Sequence, residues 1–420
     1  MKTLLVNVSD SEGGAARVTQ RLHHELLRNG VDSRYFVQFS RTDDLNVMSP
    51  SGKRAKLFAR LRPELDRLPL MVYPRAQGGL FSPSVVPDDL PGTVRRVDPD
   101  VVHLNWICKG FVRIESIARI PKPVVWTFHD SWGFTGGCHV PLECRRYQHG
   151  CGQCPQLSSK KNRDLSRRVY SRKSGVFRRK DIAVVCPSTW LADCARTSPL
   201  LEHTRIEVIP NGIDANVFQP VDRLVARRIF GLPPDTRIIL FGAMSALTDR
   251  NKGFPELSEA LAKLAQSSSG GKLLLVVFGA REPVPAPRFG IPARYVGRLF
   301  DDISLSILYS AADVFVAPSL QENLPTTVME AMACGTPVVA FNSSGFPDLI
   351  RHGETGYLAA PFDASDLAHG MDWILSDPSR PRTLGDAARK TVEERFRIGA
   401  IAGRYVNLYE RLLDVRKESE

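Results

Sequence analysis

The chain has 420 residues, 43% hydrophobic and 24% charged, ordinary proportions for a globular protein but too many residues for one hydrophobic core, so two domains are expected. No stretch approaches the roughly 18 apolar residues that a membrane span requires. The net charge of +11 and pI of about 9.4 draw it toward polyanions: nucleic acid, anionic lipid surfaces or phosphorylated substrates.

The opening apolar run, TLLVNVS (3–9), is too short for a signal-peptide core and has no small-residue cleavage site after it, so it reads as a first strand and the cytosol is the expected compartment. It leads into SDSEGGAARVTQRL, where Gly13 and Gly14 precede a helix beginning near Ala15. Glycines at such a junction let backbone approach a phosphate, and a helix N-terminus attracts anions, although a plain tight turn explains them as well. Val18, Leu22 and Leu26 share the face of that helix and Gly30 suits its C-cap. RAKLFARLRPELDRL (54–68) places Leu57, Phe58, Leu61, Leu65 and Leu68 at helical spacing among basic residues. The first reading is a solvated helix over a local core; the second is docking on an anionic membrane surface.

Further apolar runs follow at 101–106 (VVHLNW), 124–130 (VVWTFHD) and 183–188 (AVVCPS). Between the last two, HDSWGFTGGCHVPLECRRYQHGCGQCPQL (129–157) holds four of the eight cysteines, Cys138, Cys144, Cys151 and Cys154, spaced C-x5-C-x6-C-x2-C. Cytosolic thiols stay reduced and CxxC is a common zinc half-site, so a structural zinc on these four is the favoured expectation, ahead of plain thiols or labile disulfides. A catalytic zinc is not expected, because four thiolates leave no open position. Cys108, Cys186, Cys194 and Cys334 read as small core residues. A basic run, 160–180, carries ten Lys/Arg against one Asp and again reads first as a solvated face.

After IPNGID (209–214) the alternation restarts with RIILFGA (237–243), LLLVVFGA (273–280), DVFVAPS (313–319) and PVVAFNS (337–343). Near-continuous apolar strands separated by helices are the pattern of parallel sheets buried on both faces. The fold class is α/β: two doubly wound Rossmann-like domains, 1–195 with an insertion at 131–160, and 196–399, the last helix (about 400–420) packing back on the first. In such folds ligands gather outside the carboxyl ends of strands, and a cleft between domains is the natural place for an active site.

PSLQENLPTTVMEAMACGTPVVA (318–340) puts Glu322 on a loop and Glu330 near the start of a helix, eight residues apart. Carboxylates so placed suit the hydroxyls of a sugar and a ribose. A Thr327–Glu330 capping box and a solvated Glu322 are the plainer readings.

This EX7E block, with IPNGID upstream and GG in the first loop, resembles the retaining glycosyltransferases of family 4 (GT4), which have the GT-B architecture. HDSWGFTGGCH through CGQCPQL further resembles a GT4 subgroup associated with exopolysaccharide, capsule and O-antigen assembly. The resemblance implies a nucleotide-sugar donor (UDP- or GDP-linked), with Glu330 on the ribose, Glu322 on the donor sugar, and the backbone of Asn323, Leu324 and Pro325, with Gly13 and Gly14, at the diphosphate. His129 would lie near the transferred sugar, and Lys252 would neutralise the leaving diphosphate in place of a metal. The family's usual arginine is missing from its place within AMSAL (243–247), and Arg250 is the stand-in. The implied acceptor is a saccharide, polyprenyl-diphosphate-linked in this subgroup, at the inner face of the membrane. The alternatives are a zinc-containing nucleic-acid-binding protein, which lacks any zinc-finger spacing or RNP motif here, and a sugar phosphorylase of the same fold. Nucleic acid is therefore not an expected partner.

Overall fold

A computed structural model describes residues 1–73, 79–242, 249–267, 272–285 and 287–417. The chain divides into two compact units, Met1–Gly212 with Gly399–Glu420, and Ile213–Ile398. The expected boundary after residue 195 falls inside the first unit, because a short strand beyond it still belongs to the first sheet.

In the first unit, strands β1 (Lys2–Ser9), β2 (Asp32–Phe39), β3 (Val47–Met48), β4 (Val101–Leu104), β5 (Val124–Thr127), β6 (Ile182–Cys186) and β7 (Ile206–Val208) form one sheet in the order β3-β2-β1-β4-β5-β6-β7. Every pairing is parallel. Side chains alternate between two cores: Leu4, Val6, Val102 and Val124 face one, Leu5, Val101 and Val125 the other. The second core is completed by Ile401, Ala402, Tyr405, Leu408 and Tyr409 of the closing helix, Ile398–Lys417. That helix is fixed by polar contacts too: Tyr409 Oη lies 2.7 Å from His103 Nδ1, and Tyr405 Oη 3.1 Å from Thr127 Oγ1.

In the second unit, β8 (Arg237–Gly242), β9 (Leu273–Phe278), β10 (Ala293–Gly297), β11 (Val314–Ala317), β12 (Val338–Phe341) and β13 (Gly356–Ala359) form a parallel sheet in the order β10-β9-β8-β11-β12-β13. It too is buried on both faces, Ile238 and Leu240 on one, Ile239 and Phe241 on the other. Both orders reverse direction at one point, between β1 and β4 and between β8 and β11. The loops leaving those strands are where such sheets receive ligands.

The helix Lys53–Arg67 corrects the first reading of its sequence. Its buried residues are Ala59, Arg62 and Asp66, whereas Leu57, Leu61 and Leu68 are 59%, 49% and 53% exposed. The apolar stripe faces solvent, because Arg62 donates to the carbonyls of Gly110 (2.7 Å) and Phe111 (3.0 Å) and Asp66 accepts from the amides of Ser84 (3.2 Å) and Val85 (2.8 Å). These pairings satisfy polar groups that would otherwise be costly to bury. The basic run at 160–180 keeps its expected form: the helix Leu165–Phe177 buries Val169, Tyr170 and Val176. Part of its charge is consumed internally, since Arg172 pairs with Glu115 at 2.6 Å and Lys173 is buried against the carbonyls of Trp132 and Thr135.

Candidate active site

In the first unit, β1 ends in a loop that turns into the helix Gly14–Arg28. Gly13 has φ +97°, a conformation few side chains tolerate, and a Cβ at Gly13 or Gly14 would meet no atom within 4 Å. The junction thus presents bare backbone at the start of a helix whose dipole favours an anion. The loop after β2 is pinned to it by Asp10, whose Oδ2 accepts from the amides of Arg41 (2.8 Å) and Thr42 (3.0 Å) and from the Thr42 hydroxyl (2.8 Å).

His129 stands just past β5, half-buried, with Nε2 3.0 Å from Asn105 Oδ1. An amide oxygen only accepts, so Nε2 carries the proton and Nδ1 the lone pair in the neutral ring. Burial lowers its pKa to about 4, so the ring is neutral at pH 7. The next residue, Asp130, accepts from His139 Nδ1 (2.7 Å), Trp106 Nε1 (2.8 Å) and the Trp132 amide (2.8 Å). Burial opposes its ionisation, but His139 and these donors hold the carboxyl below its usual range. His139 Nε2 in turn meets Ser82 Oγ at 2.9 Å. His139 is thereby committed to orienting the turn after His129.

The cysteines come together without forming the expected zinc shell. Cys138, Cys144, Cys151 and Cys154 line one small cavity with Thr135, Tyr147 and Ser166, and all are free thiols. Among the described residues no three His, Cys, Asp or Glu side chains are grouped as a metal ion needs. The residue types suit zinc; their placement does not. The segment is held by hydrogen bonds: Asp164 accepts from the Cys154 amide (2.8 Å) and the Ser166 hydroxyl (2.6 Å), and Ser166 from the Gly152 amide (2.9 Å). Burial pushes the Cys151 thiol up to about 12, and Cys138 and Cys154 rise with it.

In the second unit, the turn Arg250–Lys252 follows β8 and the Glu322 loop follows β11. Lys252 Nζ donates to Glu322 Oε1 at 2.6 Å. Burial works against the lysine charge, and the adjacent carboxylate outweighs it, holding the ammonium above the usual lysine range. Arg250 takes another partner, a bidentate pair with Glu256 at 2.5 and 2.8 Å. The structure therefore does not bring Arg250 to Glu322, and AMSAL lies outside the described residues. Glu330 is buried in the helix Thr326–Ala333, where Tyr309 Oη donates to its Oε2 at 3.2 Å. No side chain caps that helix, so the Thr327–Glu330 capping box does not form. Pro325 is the N-cap residue, and Asn323 and Leu324 lead into it.

Residues that sequence reasoning passed over hold this loop. Asn251 brackets it, its carbonyl taking the Leu320 amide (2.8 Å), its Oδ1 the Gln321 amide (3.1 Å), and its Nδ2 donating to the Gln321 carbonyl (2.8 Å). Ser344 Oγ accepts from the Glu322 amide (3.0 Å), and the Gly345 amide donates to the Glu322 carbonyl (2.9 Å). Asn251 lay in plain view between Arg250 and Lys252; Ser344 and Gly345 had no local signal. Asn105 and Asp130, beside recognised strand ends, were likewise unassigned.

Comparison with known proteins gives the class. Residues 12–217 match the family model described as Glycosyltransferase Family 4, and residues 222–391 the one described as Glycosyl transferases group 1. Among solved structures, the chain is similar to sucrose-phosphate synthase from Thermosynechococcus elongatus (TM-score 0.68, 24% identity, 99% of this chain and 100% of that one). It is also similar to the Anabaena protein Alr3699/HepE in complex with UDP and glucose (TM-score 0.65, 17% identity, 98% and 100%). The fold is therefore that of the GT-B glycosyltransferases.

Among curated proteins, D-inositol 3-phosphate glycosyltransferase 2 of Catenulispora acidiphila is 32% identical over 225 residues, covering 50% of this chain and 51% of that protein. The match spans about half the length of this relative. The chain belongs to the group 1 glycosyltransferases of family 4. No helix among the described residues is long and apolar enough to cross a membrane.

Proposed function

We propose that the chain transfers a sugar from a UDP- or GDP-sugar to a saccharide acceptor with retention at the anomeric carbon and without a catalytic metal. The observation that carries this is the Lys252–Glu322 pair with Glu330 on the following helix, on loops leaving the two strands that flank the switch in strand order. In this reading Glu330 takes the ribose hydroxyls and Glu322 the donor sugar. The Asn323–Leu324–Pro325 backbone takes the diphosphate, and Gly13 and Gly14 are the anion-binding backbone that the first unit offers. As the bond to the leaving phosphate breaks, negative charge grows on the nucleotide, and a fixed ammonium offsets it most where water is excluded. Lys252 is held charged for that task, and Arg250 adds a second charge only if it leaves Glu256. His129, a neutral ring on a rigid turn, takes the transferred sugar as a hydrogen-bond partner. The UDP and glucose in the Anabaena protein of like fold support the choice of donor.

The acceptor in this reading is a lipid-linked saccharide of surface-polysaccharide assembly, as the cysteine-containing motif implies. A second reading, a small phosphorylated acceptor, is favoured by the name of the inositol 3-phosphate relative. The test is thermal stabilisation by UDP and by GDP, then a screen of their sugars for hydrolysis, with the anomeric configuration followed by NMR. Wild type is expected to be stabilised by one nucleotide, and Glu330→Ala to lose that effect. Stabilisation by neither nucleotide, or an inverted product, would overturn the proposal.

A further inference from the structure

The helix Lys53–Arg67 is amphipathic with its faces exchanged. Seven of the large hydrophobic side chains exposed on the described surface fall between Leu57 and Val72. Leu57, Leu61, Leu65 and Leu68 form one outward stripe, at intervals of three and four residues, with Phe58 beside it. The turn that follows, Leu68–Val72, extends the apolar surface with Met71 and Val72, each 76% exposed. A patch of this kind on a folded protein marks a surface that something covers.

The charges around it select what covers it. Lys53, Lys56, Arg60 and Arg67 recur at helical spacing along one margin of the stripe, all exposed. Among acids on the helix, Asp66 is buried beneath it, leaving only Glu64 outward, 3.6 Å from Arg67. Arg62 is spent on the carbonyls of Gly110 and Phe111, and with Asp66 it bolts the helix to the first unit. The backbone of Arg62 also packs against Gly110, where a Cβ would come within 2.6 Å of its carbonyl oxygen. The helix cannot roll its leucines inward without burying its cations and releasing those contacts.

We infer that this helix and the turn after it are a docking surface for an anionic lipid bilayer, the leucines entering the headgroup boundary and the cations engaging lipid phosphates. Basic helices with a strong apolar face lie in the plane of such an interface. A second protein chain is the less suited occupant, because a row of cations beside bare leucines matches a continuous anionic plane without further complementarity. The inference deepens the lipid-linked acceptor reading in its consequence, yet rests on surface observations that hold whatever sugar is moved.

The test is flotation of the full chain with vesicles of phosphatidylcholine alone or mixed with phosphatidylglycerol, at low and high salt. Three variants are compared with wild type: Leu57→Gln/Leu61→Gln/Leu65→Gln, Lys53→Gln/Lys56→Gln/Arg60→Gln, and Glu330→Ala. Wild type is expected to float with the anionic vesicles and to be released by salt. The leucine variant should lose binding at least tenfold, and the cation variant about fivefold per charge removed. Glu330→Ala should bind vesicles as wild type does, while both surface variants keep the nucleotide-dependent melting shift, so this inference and the donor assignment fail separately. Equal capture by neutral vesicles, no capture at all, or unchanged capture of the leucine variant would overturn it. So would a wild-type dimer in sedimentation that the leucine variant converts to monomer, because a second copy would then cover the face.

Discussion

Replacing Gly345 by alanine tests whether the Glu322 loop is held in place by packing rather than by its own conformation. Gly345 has φ −84° and ψ 2°, which any residue adopts, so the substitution adds no backbone strain. It adds one methyl group, which would fall 1.4 Å from the carbonyl oxygen of Asn323 and 3.1 Å from that of Glu322. Real contacts of that kind stay beyond 3.0 Å, so one side must retreat by about 1.6 Å. The displaced atoms are the backbone of the loop that carries the Glu322 carboxylate and feeds the helix bearing Glu330. A shift near 1 Å can cost a factor of about 100 in rate, or about 2.7 kcal/mol of transition-state stabilisation. Overpacking should also cost roughly 1–3 kcal/mol of stability, a drop of a few degrees in melting temperature. The assay is kcat/KM with the donor identified by the screen, beside calorimetric nucleotide affinity and a thermal melt. Gly175→Ala is the control, since a Cβ there meets nothing within 4 Å inside the helix Leu165–Phe177. A Gly345→Ala protein with wild-type kcat/KM would refute the reasoning, whatever its melting point.

Lys252 and Arg250 should part company under mutation. Lys252→Ala removes the partner of Glu322 and should lower kcat by about 10–100-fold, while Arg250→Ala, which frees Glu256, should stay within about twofold; equal losses in steady-state assays would contradict the pairing. Acid should destabilise the first unit before ordinary carboxylates titrate. Burial lowers the pKa of His23 and His129 to about 4 and of His103 to about 3, so below about pH 6.5 the unfolded chain binds protons that the folded one does not. Stability is then lost as pH falls from about 6.5 toward 4, by about 2 kcal/mol per histidine at pH 5. Melts at pH 7 and pH 5 measure this, and an unchanged midpoint would count against three rings held neutral by the fold.

The central strands were legible because their apolar runs are long and uninterrupted, as burial on both faces demands. The strands β3, β7, β10 and β13 were not seen. Each is two to five residues long and closes or approaches a sheet edge, where one side of the chain stays partly wet and the apolar run is broken. Periodicity alone identified the helix at 53–67 and grouped its leucines correctly. It assigned them to the inside because spacing says which residues share a face, while Arg62 and Asp66 decide which face is buried. For a related reason the end of the first unit could be set no more finely than 190–215: β7, three half-buried residues, carries no signal that the first sheet is unfinished at residue 195. Glu322, Glu330 and Lys252 were recognised by motif, yet Ser344 and Gly345, which hold their loop, come from the turn after a different strand and only the fold brings them there.

The closing helix has a consequence for how the molecule is made. Its tyrosines complete a core begun by β1, so the first unit is split in sequence and the second is an insertion within it. On a ribosome the second unit can finish folding as soon as it emerges. The first must wait, with His103 and one face of its sheet uncovered, until the helix Ile398–Lys417 has been made. Ordinary N-to-C order of domain maturation is thereby reversed. Truncating the C-terminus strikes the half of the protein farthest from it in sequence, and a premature stop near residue 400 leaves an intact second unit attached to a first that has lost one wall.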